Sequence, residues 1–490
     1  MARRRQPIPP PIRSHGTSRR TLLGGLTALA ACGGRGDSGG SDDTAAQEDD
    51  SGIADDSGTI DDTADTSEPV DPGPPEVVFD AAGISEDPGL FPTAIQAGAM
   101  RQTSVLLAAY VDDGQPVVIR VWQPVKDDVV RLLHDAVYTP TEGYLKVTVE
   151  GLSPGEWYTW CLLRADGEDY TSRSLIAQFR TAIPEGSREP LTVAISACNG
   201  PFNDPWPALE RTAEYDYDLF IHLGDMAYND SCTTLDEFRE RWQWYLSGDG
   251  FRAAYARSGL LATWDDHEIT NDWSGTDVDS EALANGMQAF FETLAVEQGK
   301  DGQLWGRFRW GDTAEFFVLD CRSERDEDAG MYLSYAQMQW LKQGISESPC
   351  HFKVIVNSVP ITNMPSVWDL AASDRWEGYP SHRNELLDHI GDNTIENVWF
   401  LSGDFHVCFA AKVQPDASGV AGKTWEIAVT GGNSNPLGES LNWFYADQFP
   451  YSASSARTVL LTFDPDADTV EVKFIDPDDG SLDYGETLSQ

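Results

Sequence analysis

Seven short apolar runs mark the chain from residue 191 onward: LTVAISAC (191–198), LFIHLGDMAY (219–228), LLATWDDHE (260–268), AEFFVLDCR (314–322), FKVIVNSV (352–359), VWFLSGDFH (398–406) and WEIAVTGG (425–432). Unbroken apolar runs of this length, without polar alternation, predict strands buried on both faces. The stretches between them carry helical spacing, with YLSYAQMQWLKQGI (332–345) the clearest. Strands alternating with helices predict an α/β fold. Three runs stop on residues able to bind a metal, and in α/β sheets such residues converge outside the carboxyl ends of the strands. The pattern therefore singles out Cys198, Asp225, Tyr228, Asp266, His267, Asp404 and His406.

Earlier in the chain the period changes. SVLLAAYV, PVVIRVWQP, YLKVTVEGL, EWYTWCLLRA and LIAQFRTA are short β-type segments with turn signals about every ten residues, which predicts a β-sandwich over 85–183. Within it GLSPGEWY (151–158) resembles the L-x-P-G-x-x-Y corner of fibronectin type III domains. In that corner a tyrosine hydroxyl ties back to the backbone, so Tyr158 is read as structural and Trp157 or Trp160 as core. No ligand cluster falls in this stretch.

The amino-terminal part is not a folding sequence. Ser18-Arg19-Arg20-Thr21-Leu22-Leu23 matches a twin-arginine export signature, followed by an apolar stretch too short to span a bilayer. Leu29-Ala30-Ala31-Cys32 resembles the lipobox of bacterial lipoproteins, which implies cleavage before Cys32 and its acylation. Residues 1–32 are thus expected to be a signal, and the protein to be exported and lipid-anchored on the periplasmic or outer side of a bacterial membrane. Residues 33–76 are acidic and poor in large apolar side chains, predicting a disordered tether. The net charge of −46 excludes sequence-specific nucleic acid as a partner. It does not exclude a small anionic substrate, because bound cations outweigh the global field locally. Five cysteines remain besides Cys32 and Cys198, namely 161, 232, 321, 350 and 408, so at least one is free.

At the site, Gly224 allows a tight exit before Asp225, which is placed to bridge two cations. Asp266 and His267 end a run otherwise made of Leu, Ala, Thr and Trp, where charged groups are costly unless paired or metal-bound. Asp404 and His406, two residues apart on an extended strand end, are expected to face the same way and chelate together. His222, His351, His382 and His389 are expected to be satisfied within the fold, and Cys408 to be buried.

The order Ser-Ala-Cys198, His-Leu-Gly-Asp225-x-x-Tyr228, Trp-Asp-Asp266-His267-Glu, Arg309-Trp-Gly-Asp312, Leu-Asp320-x-Arg322-x-x-Arg325, Gln337-x-x-Trp340-Leu341, Trp376-x-Gly378-Tyr379-Pro380-x-x-Arg383 and Ser-Gly-Asp404-x-His406 resembles the PhoD-like alkaline phosphatase and phosphodiesterase family. The resemblance implies a four-layer metallophosphoesterase sandwich over 188–476, preceded by the fibronectin/immunoglobulin-like β-sandwich. It also implies ferric iron held by Cys198, Asp225, Tyr228 and His406, and calcium reached by Asp225, Asp266 and Asp404, other divalent metals being compatible with the same oxygens. Cys198 occupies the place where other binuclear phosphoesterases carry Asp-x-His.

The implied reaction is hydrolysis of phosphate mono- or diesters by metal-activated water. His267 is expected to stabilise the transition state or protonate the leaving group, and Asn271 to orient phosphate. Arg322, Arg325 and Arg383 are phosphate-fork candidates, with salt bridges as the competing role. The substrate is a phosphate-ester small molecule or a phospholipid headgroup. Two rivals stand beside this reading: a phospholipase D-like phosphodiesterase, and a surface-anchored binding protein on a retired phosphatase scaffold.

Overall fold

The computed structural model describes residues 73–167, 169–365 and 372–490. The twin-arginine signature, Cys32 and the tether up to residue 72 lie outside the described residues. The last tether residue, Glu76, opens a strand, Glu76–Val78, that pairs with Val129–Tyr138. Among the described residues no helix is long and apolar enough to cross a membrane.

All seven apolar runs form strands, divided between two sheets. Leu191–Ser196, Leu219–Leu223 and Gly259–Thr263 run parallel in a nine-stranded sheet. Ala314–Val318, Phe352–Val356, Val398–Ser402 and Trp425–Ala428 run parallel in a seven-stranded one. Because strand side chains alternate in direction, each strand serves two cores. Val193, Ile195, Leu219 and Ile221 meet Phe316, Val354, Leu401 and Ile427 in one core between the sheets. On the outer face of the nine-stranded sheet, Ala194, Phe220, Leu260 and Ala262 pack with residues of the helices Leu235–Leu246, Asp249–Arg257 and Ser280–Thr293. On the outer face of the other sheet, Phe317, Ile355 and Phe400 pack with residues of Tyr335–Glu347 and Pro380–Asp392. The layers run helices, sheet, sheet, helices, a mixed α/β fold.

The β-rich stretch ahead of these strands is divided as well. Val117–Lys126, Val129–Tyr138, Trp157–Asp166, Asp169–Arg173 and Ala177–Arg180 belong to a six-stranded sheet that also holds Glu76–Val78. Ser104–Tyr110 and Tyr144–Glu150 instead extend the nine-stranded sheet through Gln96–Gly98, whose Gly98 pairs with Leu260. Ile119, Val121, Trp160 and Leu162 share the inter-sheet core with Val105 and Leu107. Trp160 is the core tryptophan, while Trp157 is 36% exposed. The buried Tyr158 hydroxyl accepts from the Ser153 amide at 2.7 Å and donates to the Ser153 carbonyl at 3.3 Å, tying the corner back to the backbone five residues upstream.

Candidate metal centre

The parallel strands of both sheets release their chains at one edge, and the loops there interlock. Gly224, at φ +93°, leaves Leu219–Leu223; a Cβ there would lie 2.5 Å from the Asp265 Cβ, so only glycine lets the two loops meet. The Gly224 carbonyl accepts from the Cys198 amide at 3.3 Å, and the Cys198 carbonyl accepts from the Asn433 amide at 3.0 Å. Cys198, Asp225, Asp404 and His406 have φ of +55°, +54°, +60° and +55°. Left-handed backbone costs a non-glycine residue about 1 kcal/mol or more, and persists where surrounding contacts over-determine it. Buried Glu268 supplies part of that constraint, accepting from the amides of Asp265 (2.8 Å), Asp225 (3.0 Å) and Met226 (2.6 Å).

The donor atoms form three overlapping groups, each within 4.8 Å: Cys198, Asp225 and His406; Asp225, Asp266 and His267; Asp265, Asp266 and Asp404. Asp225 joins the first two groups and Asp266 the last two. The Tyr228 hydroxyl donates to Asp225 Oδ2 at 3.1 Å and lies 3.4 Å from His406 Nε2, which places it in the first group. The strand Val398–Ser402 ends before Gly403, so Asp404 and His406 are not alternating strand residues as expected. Two left-handed turns send them to different groups, Asp404 to the all-carboxylate one and His406 to the one with the thiol.

Electrostatics favours a cation here. Burial, then the neighbouring carboxylates, hold the carboxyl of Asp404 well above the usual range. Burial does the same for Asp225, aided by Asp266 and Asp265 and only partly offset by the imidazole of His267. The Cys198 thiol and Tyr228 phenol are raised by burial and then by Asp225. Burial pushes His406 down to about 4, so its ring is neutral, the form that binds a metal. Crowding these groups out of water is unfavourable until a cation sits among them. The sulfur, phenol and imidazole of the first group suit a transition metal, and the carboxylate oxygens of the others suit a hard divalent ion. The residues present fit metal binding.

His267 stands beside this cluster. Its Nδ1 lies 2.7 Å from Asp230 Oδ1, and its ring stacks on Tyr228 with centroids 3.9 Å apart. Burial pulls its pKa down, but Asp266, Asp225 and Asp230 outweigh it and hold the imidazole well above its ordinary value. Asn271 is exposed and reaches the cluster only through its amide, which donates to the same Asp230 oxygen at 2.8 Å.

The arginines are placed otherwise than as open phosphate forks. Arg322 is fully buried and grips Asp265 at 2.8 and 3.1 Å and Asp374 at 2.6 and 3.1 Å, with Asp404 at 3.5 Å. Its planar donors are committed to carboxylates. Arg325 bonds Asp374 at 2.7 Å and the Tyr332 hydroxyl at 2.9 Å. Arg383, in Pro380–Asp392, donates to the carbonyls of Ile361 and Val413 and is not brought to the cluster. Buried salt bridges and carbonyl contacts account for all three.

Several site residues carry little signal in the sequence. Asp265 and Glu268 lie within the run that contains Asp266, and their polar character amid apolar neighbours is the one cue to them. Asp230 and Asp374 have none beyond following a predicted strand at a distance, and Asn433 none beyond standing next after the run 425–432. Asn433 donates to the Tyr228 hydroxyl at 2.5 Å and lies 3.2 Å from His406 Nε2. The other histidines are satisfied elsewhere: His222 by Tyr255 and Asn199 at 2.7 and 2.8 Å, His351 by Asp468, His382 by the Tyr332 amide, and His389 by Ser346. Cys408 is buried against Thr430, and Cys161, Cys198, Cys232, Cys321, Cys350 and Cys408 are all unpaired.

The chain is 25% identical to alkaline phosphatase D of Bacillus subtilis (strain 168) over 365 residues, covering 63% of this chain and 62% of that protein. It thus spans less than two thirds of that relative's length. The solved structure of PhoD superposes with a TM-score of 0.68 at 21% identity, covering 81% of this chain and 89% of the other. The purple acid phosphatase PPD1 from yellow lupin (Lupinus luteus) seeds superposes at 0.57 with 13% identity, over 82% and 75%. The fold is therefore shared with these two phosphatase structures. A model of the PhoD-like phosphatase family matches residues 193–474, more than half of the chain and a span that holds all six expected metal ligands. The chain belongs to the PhoD-like phosphatase family.

Proposed function

We propose that the protein is an exported metal-dependent phosphoesterase acting on phosphate mono- or diesters. The observation that carries this reading is the linkage of three buried donor groups through Asp225 and Asp266 at the shared edge of two sheets. In this reading iron(III) is held by Cys198, Asp225, Tyr228 and His406, and calcium by Asp225, Asp266 and Asp404. Cations bound there would supply Lewis-acid polarisation of the phosphoryl group and a more acidic water.

The chain's own residues supply orientation and a proton. Asp230 fixes the His267 ring through Nδ1, leaving Nε2 to hold a proton for the departing alkoxide. Asn271, at the exposed rim beyond Asp230, orients the phosphate. Arg322 and Arg325 act behind the site, fixing Asp265 and Asp374 rather than touching substrate. Residues 85–183 supply a fibronectin III-like sandwich ahead of a four-layer phosphoesterase domain over 188–476, with Gln96–Gly98, Ser104–Tyr110 and Tyr144–Glu150 continuing that domain's nine-stranded sheet. Export by the twin-arginine signature and anchoring through Cys32 complete the proposal and rest on those two motifs.

The test measures metal content and hydrolysis of para-nitrophenyl phosphate and its bis-ester, on protein beginning at Gly73, beside Tyr228→Phe. Iron with calcium, a visible tyrosinate-to-iron absorption lost in the variant, and turnover are expected. The preferred ester separates monoesterase from diesterase. Protein that stays metal-free and inactive after reconstitution would overturn the reading in favour of a binding scaffold.

A further inference from the structure

Most of the protein's aromatic side chains are buried, including eight fully buried tryptophans. The rim of the metal centre departs from this habit. Phe202 is 80% exposed, Leu437 49%, Trp443 70%, Phe444 75% and Tyr445 44%. They lie on two segments that meet at Asn433: Asn203 donates to Asn433 Oδ1 at 3.2 Å, and Asn433 in turn bonds Tyr228. Asn435, two residues before Leu437, donates to the carbonyl of Phe405 at 3.4 Å, between the cluster residues Asp404 and His406.

The helix Ser440–Tyr445 presents its aromatics outward by construction. Leu441 points inward into a small core with Phe405, Phe409 and Phe449. The Asn442 side chain donates to the carbonyls of Phe449 and Pro450 at 2.9 and 2.8 Å, pinning the helix. With those contacts made on one side, Trp443, Phe444 and Tyr445 are left to solvent. Large exposed apolar side chains grouped on one short helix mark an interaction surface.

We infer that this rim is a docking surface for a lipid bilayer, set so that the mouth of the metal centre rests against the membrane. Two observations, the aromatic character and the nearby anchor, select a bilayer as the occupant, and the local charge fixes how it is met. Adjacent Trp, Phe and Tyr have the amphipathic character that settles at a membrane interface. Residues 431–456 contain Glu439 and Asp447 but no Lys or Arg, so contact is made by apolar insertion without attraction to anionic lipid. Forty-one positions separate Cys32 from Gly73, which limits the two to roughly 140 Å apart even for a fully extended chain. An acylated Cys32 would therefore hold the body close to a membrane, where a weak surface contact suffices. This last argument rests on the proposed lipid anchoring; the patch itself does not.

The experiment uses protein beginning at Gly73, since Pro74–Gln490 forms one compact unit with its own cores. It lacks the apolar leader and Cys32, so vesicle binding reports the rim alone. Co-sedimentation and tryptophan fluorescence are followed with phosphatidylcholine vesicles and with vesicles containing phosphatidylglycerol. The protein is expected to bind phosphatidylcholine with a blue-shifted emission and to bind anionic vesicles more weakly. A Trp443→Ser/Phe444→Ser variant is expected to bind about tenfold more weakly or less while hydrolysing a soluble bis-ester within about twofold of the parent. Equal binding by parent and variant, or none by either, overturns the inference. So does a dimer of the parent that the double substitution dissolves, because the patch would then be covered by a second copy. Loss of soluble hydrolysis in every form would sink the phosphoesterase reading and leave the vesicle result standing.

Discussion

Around Asp374 the chain supplies its own cations, Arg322 at 2.6 Å and Arg325 at 2.7 Å, whereas the group around Asp225 has the His267 imidazole at its margin. The consequence is read in the two carboxyls. Burial would raise both, but the two arginines bring Asp374 below its ordinary value, while Asp225 is driven well above its own. Both centre on an aspartate, and they differ in what surrounds it. Where the fold needs a fixed positive charge it uses a guanidinium held by packing, and where it leaves carboxylates, a thiol and a phenol uncompensated it leaves room for an exchangeable ion. An uncompensated buried group is thus a better pointer to the functional position than acidity alone.

Substitution at the two centres should separate them. Asp225→Asn removes the ligand shared by two donor groups, and hydrolysis is expected to fall by about a thousandfold or more with loss of bound metal. The metal-free variant should be at least as stable as the parent, because a costly buried acid has become a neutral amide; urea unfolding and metal analysis check both halves. A clear loss of metal-free stability would break the comparison. Arg322→Met is the converse: it strands Asp265 without its cation, leaves Asp374 with Arg325 alone, and should cost about 3–5 kcal/mol in the same unfolding measurement.

Two smaller effects calibrate the contrast. His222 is buried with neutral partners and its pKa is pushed down to about 3. Since the folded value lies below the unfolded one of about 6.5, the unfolded chain takes up the proton first as pH falls, so stability is lost from about pH 6.5 downward. The parent should lose about 2 kcal/mol more than His222→Gln between pH 7 and pH 5, seen as a difference in the slopes of unfolding free energy. Tyr158→Phe, in the corner of the six-stranded sheet, should cost about 1 kcal/mol and leave metal content and hydrolysis unchanged. A change in activity there would tie the corner to the metal centre.

Much of the site and the corner is legible in the order of residues. Tyr158 is marked by its turn motif, because a corner is a local device whose residues are neighbours in sequence. Cys198, Asp225, Tyr228, Asp266, His267, Asp404 and His406 stand out because polar groups at the ends of fully apolar strands are costly to bury unless something binds them. The arginines mislead for a complementary reason. A guanidinium matches phosphate and carboxylate equally well, and whether Arg322 meets one or the other depends on Asp265 and Asp374, which lie 57 and 52 residues away. Asp404 and His406 have the spacing of strand neighbours facing one way, and left-handed backbone at both positions sends them apart.

By itself the sequence determined the existence of the seven central strands, their burial and the chemistry that collects at their ends, since apolar period and residue type act over a few positions. The tertiary structure decided that three of those strands build one sheet and four the other, because an apolar run states that it will be covered but not by what. It also decided which carboxylates receive a guanidinium and which await an ion, a matter of distances between segments that only packing brings together.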